Sequence, residues 1–182
     1  MKKIAALMLC GIMTLSLAAC GGGGGTGGNG GGGNSGAQVS GEIIDTGVFS
    51  ALLPDGWYNY PVTDMWSEND ELDPDALRFC KNMKSEEELF YTAYLQINRY
   101  DADAYILDMR DMYDDVMDVD FTIDGVQWTG FTGMYGDYEN FIIQAAKDGV
   151  IFYVSGVMNG DKSSFTLDDP EVQAILGSCT LD

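Results

Sequence analysis

Apolar residues recur along positions 42–182 in two rhythms, and each rhythm assigns a type of element. Residues 43–53 mix β-branched and other apolar side chains and run into Pro54-Asp55-Gly56, which predicts a strand closed by a turn. Residues 76–82 and 90–100 predict two further strands around the charged turn Lys84-Ser85-Glu86-Glu87-Glu88. In the second of these, Tyr91, Ala93, Leu95 and Ile97 alternate with their neighbours, as a strand with one buried face requires. Three more strands are expected at 126–135, 138–146 and 150–158, with Lys147-Asp148-Gly149 as the hairpin turn between the last two. Those two carry Phe141, Ile142, Ile143, Ile151, Phe152, Tyr153 and Val154, so they belong at the centre of the sheet.

The second rhythm is helical. Over residues 104–119, Tyr105, Ile106, Met109, Met112, Tyr113, Val116 and Val119 share one side at about 100° per residue, with Asp108, Asp111, Asp114, Asp115 and Asp118 on the other. A long amphipathic helix is expected there, capped by Asp101 or Asp103. A short closing helix follows, with Asp168 or Asp169 as cap, Pro170 in its first turn and Val172, Ile175 and Leu176 as docking face. Residues 67–75 are polar and read as a loop. The sum is an α+β fold: an antiparallel β-sheet with a long amphipathic helix and a short C-terminal helix packed on it.

The first 41 residues follow neither rhythm. Lys2 and Lys3 precede an apolar run that ends in Leu17-Ala18-Ala19-Cys20-Gly21. That order of charged, apolar and small residues reads as a secretory signal, and the run is too short for a transmembrane helix of about 20 apolar residues. The motif resembles a bacterial lipoprotein signal, which implies a signal peptide over 1–19 and a lipid anchor on Cys20. Two acyl chains at about 0.8 kcal/mol per buried CH₂ hold a protein stably on a membrane where one does not. Residues 21–41 contain 13 glycines and few apolar side chains, too few to offset the entropy of ordering. With Cys20 they form a flexible tether over 20–41, about 25 Å in root-mean-square span and roughly 70 Å when stretched. Residues 42–182 form a single globular domain. The expected location is the extracytoplasmic face of the cell membrane.

Charge narrows the partners. The chain has 29 acidic and nine basic side chains, and loss of Lys2 and Lys3 with the signal leaves seven basic, a net charge of −22. Such a field repels nucleic acid and favours cations and basic proteins. The chain contains no histidine, which removes Ser-His-Asp and Cys-His catalysis and histidine-bearing zinc sites. Carboxylate chemistry remains, but among so many acids no pair stands out, and no catalytic residue and no cofactor are assigned. Cys80 and Cys179 are the thiols left in the domain, either as a disulfide or as two buried reduced thiols.

Two small-ligand sites are conceivable on this pattern. Asp118-Val119-Asp120-Phe121-Thr122-Ile123-Asp124-Gly125 fails as an EF-hand loop, because Ile123 stands where glycine is needed. A looser calcium site among Asp111, Asp115, Asp118 and Asp120, within the acidic stretch Asp108 to Asp120, is open, since a hard cation needs only clustered oxygens. Trp57, Tyr58, Tyr60 and Trp66 offer either a core cap or a stacking surface.

Phe49-Ser50-Ala51-Leu52-Leu53-Pro54-Asp55-Gly56-Trp57, then Asp124-Gly125-Val126-Gln127-Trp128, then Asp169-Pro170-Glu171-Val172 together resemble small PsbP-like domains. These motifs are turns and core aromatics. The resemblance implies the α+β architecture and a non-catalytic adaptor, since PsbP is an extrinsic subunit docked on a membrane complex. The expected function is a membrane-anchored interaction domain that binds a protein or envelope component, with a small-ligand or calcium binder as the alternative and a carboxylate hydrolase behind both.

Overall fold

A computed structural model describes residues 39–181. The expected signal sequence, Cys20 and residues 21–38 lie outside the described residues. Ten strands and one α-helix follow in the order β1 (Gly41–Asp45), β2 (Phe49–Pro54), β3 (Trp57–Tyr60), β4 (Ala76–Lys81), β5 (Tyr94–Asp101), β6 (Asp114–Ile123), β7 (Val126–Tyr135), β8 (Tyr138–Lys147), β9 (Val150–Val157), α1 (Pro170–Ser178) and β10 (Thr180–Leu181). Seven strands form one sheet in the order β3-β4-β5-β9-β8-β7-β6, and β1-β2-β10 form a second. Every pairing is antiparallel. The chain lays down β3 to β5, crosses to the far edge, and returns through the β6 to β9 meander, so that β9 closes against β5 at the centre.

Turn chemistry sets the meander. Asp124 and Gly125 both have positive φ (49° and 82°), as do Asp148 and Gly149 (53° and 82°). Two consecutive left-handed residues make the two-residue turn whose twist matches paired strands, and Asp-Gly is among the pairs that tolerate it. Gly125 is thus a hairpin residue.

Strand registers sort the large sheet into two unlike faces. Leu77, Ile97, Val154, Ile143, Gly130 and Val119 pair across successive strands and share one face. Phe79, Leu95, Gly156 and Phe141 extend it. This face is covered by β2 and α1: Phe49, Ala51 and Leu53 of β2 and Val172, Ile175 and Leu176 of α1 join the sheet residues in one buried cluster. Phe49 meets Phe152 edge to face at 5.7 Å across the two layers. Among the described residues no second layer of strands or helix covers the opposite face, which mixes polar side chains with Phe131, Ile142, Ile151 and Val157.

The long helix expected at 104–119 is absent. Residues 114–123 are β6, and only a 3₁₀ turn at Arg110–Met112 precedes it. Five aspartates in that window oppose a helix, because their side chains compete for local backbone groups. From Val119 onward the period is two: Val119, Phe121 and Ile123 are half-buried while Asp118, Asp120 and Thr122 are exposed. A bulge between Asp114 and Met117, with Asp115 at φ 50°, starts the strand. The strand expected at 90–100 begins later, at Tyr94, because Glu86–Tyr91 is a 3₁₀ segment. Residues 43–53 split into β1 and β2 at a turn through Gly47.

The closing helix forms as expected, with Pro170 in its first turn, but the Asp169 side chain makes no capping bond to it. Its carboxylate accepts instead from Thr166 Oγ1 at 3.0 Å and from Lys81 Nζ at 3.3 Å. Lys81 also pairs with Glu171 at 3.2 Å, and Glu171 accepts from Trp57 Nε1 at 3.0 Å, so one polar knot ties β3 and β4 to the start of α1. Burial alone would raise the Asp169 carboxyl, but the Thr166 and Lys81 hydrogen bonds and the lysine charge outweigh it and hold it below the ordinary carboxylate value.

Candidate functional site: the uncovered sheet face

The uncovered face is built from residues that alternate with the core. One row crosses all seven strands through Tyr60, Arg78, Gln96, Ser155, Ile142, Phe131 and Asp118. A second places Asn98, Tyr153, Gln144, Thr129 and Asp120 beside it. Tyrosine, glutamine, asparagine and arginine offer ring faces and hydrogen bonds together, a combination suited to recognition.

Loops turn this face into a trough. Residues 104–113 fold over the β6 and β7 end, where Tyr113 stacks edge to face on Phe131 and Tyr135. Arg110 pins the loop down: it pairs with Asp118, lies 5.0 Å from the Phe131 ring centre, and reaches Asp108 at 3.7 Å. A recess of about 480 Å³ lies there, with Asp108, Asp118, Asp120, Ile142 and Tyr153 among its lining residues. Burial pushes the Tyr153 phenol up to about 12, so it stays a neutral donor at any physiological pH. At the β3 and β4 end, residues 60–65 and Glu86 border a second recess of about 520 Å³ over Arg78, Gln96 and Asn98. A third, of about 270 Å³, lies between Arg78, Leu89, Phe90, Thr92, Tyr94, Tyr138, Val157 and Gly160.

Large apolar side chains stand out into solvent on the bordering loops. Trp66 is 89% exposed, Met65 86%, Tyr105 88% and Phe90 82%. Isolated exposed hydrophobics are ordinary, but Met65 and Phe90 line recesses of the uncovered face, and Trp66 and Tyr105 are chain neighbours of residues that do, Met65 and Ile106.

The aromatic and aspartate candidates divide. Trp57 is buried against Phe165 at 5.5 Å and caps the core, whereas Trp66 is on the surface, so the two do not form one stacking platform. Tyr60 lies on the uncovered face beside Arg78. Asp118 is held by Arg110 and Asp120 accepts from Gln127 at 3.1 Å, while Asp111 sits in the 3₁₀ turn and Asp115 in the bulge. Among the described residues no group of three or more acidic or thiol side chains is gathered as a metal would need. The calcium cluster depended on the helix, and its loss disperses the carboxylates.

Cys80 and Cys179 are free, buried thiols and no disulfide joins them. Burial raises Cys80 to about 11 despite the charge of Arg78, and raises Cys179 to about 12.

Arg78, Gln96, Tyr94 and Arg110 were not among the residues picked out from the sequence. Their signal was present as the complement of the core pattern: Arg78 falls between Leu77 and Phe79, and Gln96 between Leu95 and Ile97.

No protein-family model and no curated protein matches the chain. Among solved structures it is similar to a protein from Bacteroides thetaiotaomicron VPI-5482, with 11% identity, a TM-score of 0.47, and coverage of 78% of this chain and 47% of that one. The chain thus spans about half the length of that protein. It is also similar to the cyanobacterial PsbP (CyanoP) of Synechocystis sp. PCC 6803, with 13% identity, a TM-score of 0.41, and coverage of 84% and 98%.

Proposed function

We propose that this protein is a lipid-anchored, extracytoplasmic binding domain that docks a protein or envelope component on the uncovered face of its large sheet. The observation that carries the reading is the asymmetry of that sheet: one face is sealed by β2 and α1, and the other is a polar, aromatic trough flanked by exposed Trp66, Met65, Tyr105 and Phe90. Exposed large apolar side chains gathered near one face mark docking surfaces, and tyrosine, phenylalanine, methionine and arginine, all present here, are enriched at interfaces. A net charge of −20 over the whole chain favours a basic partner. Cys20 and the glycine tether support placement at a membrane, where confinement raises the effective concentration toward targets on that surface.

Two measurements test this reading. Fractionation of cells carrying Cys20→Ala should move the protein from membranes to the soluble fraction, and a variant retained on membranes would contradict the anchor. Co-purification from native envelopes should lose its specific partner when Met65, Trp66 and Tyr105 are replaced by serine. Partner recovery equal to that of the unaltered protein would contradict the surface.

A further inference from the structure

The recesses of the trough differ in charge, and one of about 350 Å³ over Gln127, Thr129, Gln144 and Ile151 has no charged side chain in its lining. The largest is bordered by Asp73 and Glu86, and that under Arg110 by Asp108, Asp118 and Asp120. The recess of about 270 Å³ has no acidic side chain among its lining residues, in a chain with 29 acids, and it shares Arg78 with the largest.

Arg78 differs from the other two arginines. Arg99 pairs with Asp75 and Asp101, and Arg110 with Asp108 and Asp118. Among the described residues no carboxylate lies within ion-pairing distance of Arg78. The guanidinium is half-buried, lies 5.7 Å from the ring centres of both Tyr60 and Tyr94, and gives its Nε and one terminal nitrogen to Gln96 Oε1, at 3.0 Å from Nε. A neutral amide and two rings orient the cation without neutralising it, and donors of the guanidinium fork are left over. Around it Leu89, Phe90, Tyr94, Tyr138 and Val157 supply apolar wall. Thr92, also in the wall, has a buried hydroxyl with no partner among the described residues.

The wall itself is held by close backbone approach. A Cβ on Gly160 would sit 2.6 Å from backbone atoms of Thr92 and Ala93, so only glycine lets residues 158–164 close against the end of the 3₁₀ segment.

We propose that this recess binds a small apolar monocarboxylate, its carboxylate on Arg78 and its hydrocarbon part between Leu89, Phe90, Tyr138 and Val157. A guanidinium fork matches a carboxylate in shape and charge, and an apolar wall selects against hydrated inorganic anions. At about 270 Å³ the recess is on the scale of a small acid with a phenyl or branched-alkyl group rather than of a larger ligand. The inference rests on the trough being a binding surface, but its test needs no protein partner, so its failure leaves the docking reading standing.

The test is a ¹⁵N NMR titration of residues 20–182 carrying Cys20→Ala with phenylacetate, and separately with phenylacetamide. The account expects amide shifts concentrated at residues 78, 92, 94 and 157, with the amide binding about tenfold more weakly because it lacks the charge. Arg78→Gln should abolish the preference for the acid while the melting transition is retained, and Arg78→Lys should keep part of it. Equal binding of acid and amide, shifts outside the recess, or no shift with phenylacetate at tens of millimolar would each overturn the proposal. If Arg78→Gln fails to fold, the acid-to-amide ratio measured on Arg78→Lys and on the unaltered residue still decides.

Discussion

Replacing Phe152 by alanine should separate the two faces of the large sheet in a single comparison. Phe152 is wholly buried on β9, the central strand, and its ring meets Phe49 of the covering layer at 5.7 Å. Removing a buried phenylalanine costs about 3–5 kcal/mol through lost transfer energy and the cavity left behind. Here β9 is fixed on both sides by β5 and β8, so the cavity cannot collapse easily and the upper half of that range is expected, about 4 kcal/mol. Total stability for a domain is about 5–15 kcal/mol, so this variant remains folded but sits close to its limit. At about 3 °C per kcal/mol for a chain of this size, the melting midpoint should fall by about 12 °C. Phe90→Ala removes the same atoms from the trough flank, where the ring is 82% exposed, and should change stability by less than about 0.5 kcal/mol. Urea unfolding of both variants gives the comparison directly. Similar losses for Phe152→Ala and Phe90→Ala, or a loss of under about 1 kcal/mol for Phe152→Ala, would refute the one-sided core.

Further outcomes follow from particular contacts. Gly156→Ala places a Cβ 2.0 Å from the Tyr94 carbonyl oxygen and 2.9 Å from Leu95 Cα, both backbone, so the β5 and β9 pairing must shift; urea unfolding should register a loss of at least about 1–3 kcal/mol. Thiol labelling near pH 8 should find Cys80 and Cys179 unreactive until the domain unfolds, since the thiolate is the nucleophile and burial raises both groups to about 11 and 12. Rapid labelling of the native protein would contradict that burial. Asp169 is held below its ordinary value of 3.8, so the stability it contributes is present above that pH and is lost as the pH falls through its lower folded value. Asp169→Asn should therefore destabilise the protein near neutrality and match it in strong acid, and a deficit constant with pH would count against the Lys81 and Thr166 contacts.

Elements fixed by local chemistry were legible in the chain. The β7 strand falls at 126–135, the Asp148-Gly149 turn where Asp-Gly permits two positive φ values, and α1 where Pro170 opens an apolar triplet. Residues 104–119 read as a helix because Val119 ends a helical stripe and begins a strand alternation at once, and the shorter strand pattern from Val119 to Ile123 is the one the sheet buries. The candidate aspartates dispersed with that helix. What the chain could not reveal is long-range: that β9 returns to β5, more than 50 residues earlier, depends on registers between strands rather than on either strand alone. That pairing is what brings Val157 beside Tyr94 and puts Arg78 into a trough.

Site-resolved photo-crosslinking in native envelopes tests the central claim most directly. A photoreactive residue placed at Phe90 or Tyr105, beside the uncovered face, is compared with one at Glu42 on β1, in the covering layer. The account predicts a discrete crosslinked partner from Phe90 and Tyr105 and none from Glu42. A partner captured equally from Glu42, or from Glu42 alone, would contradict the assignment of the uncovered face as the binding surface.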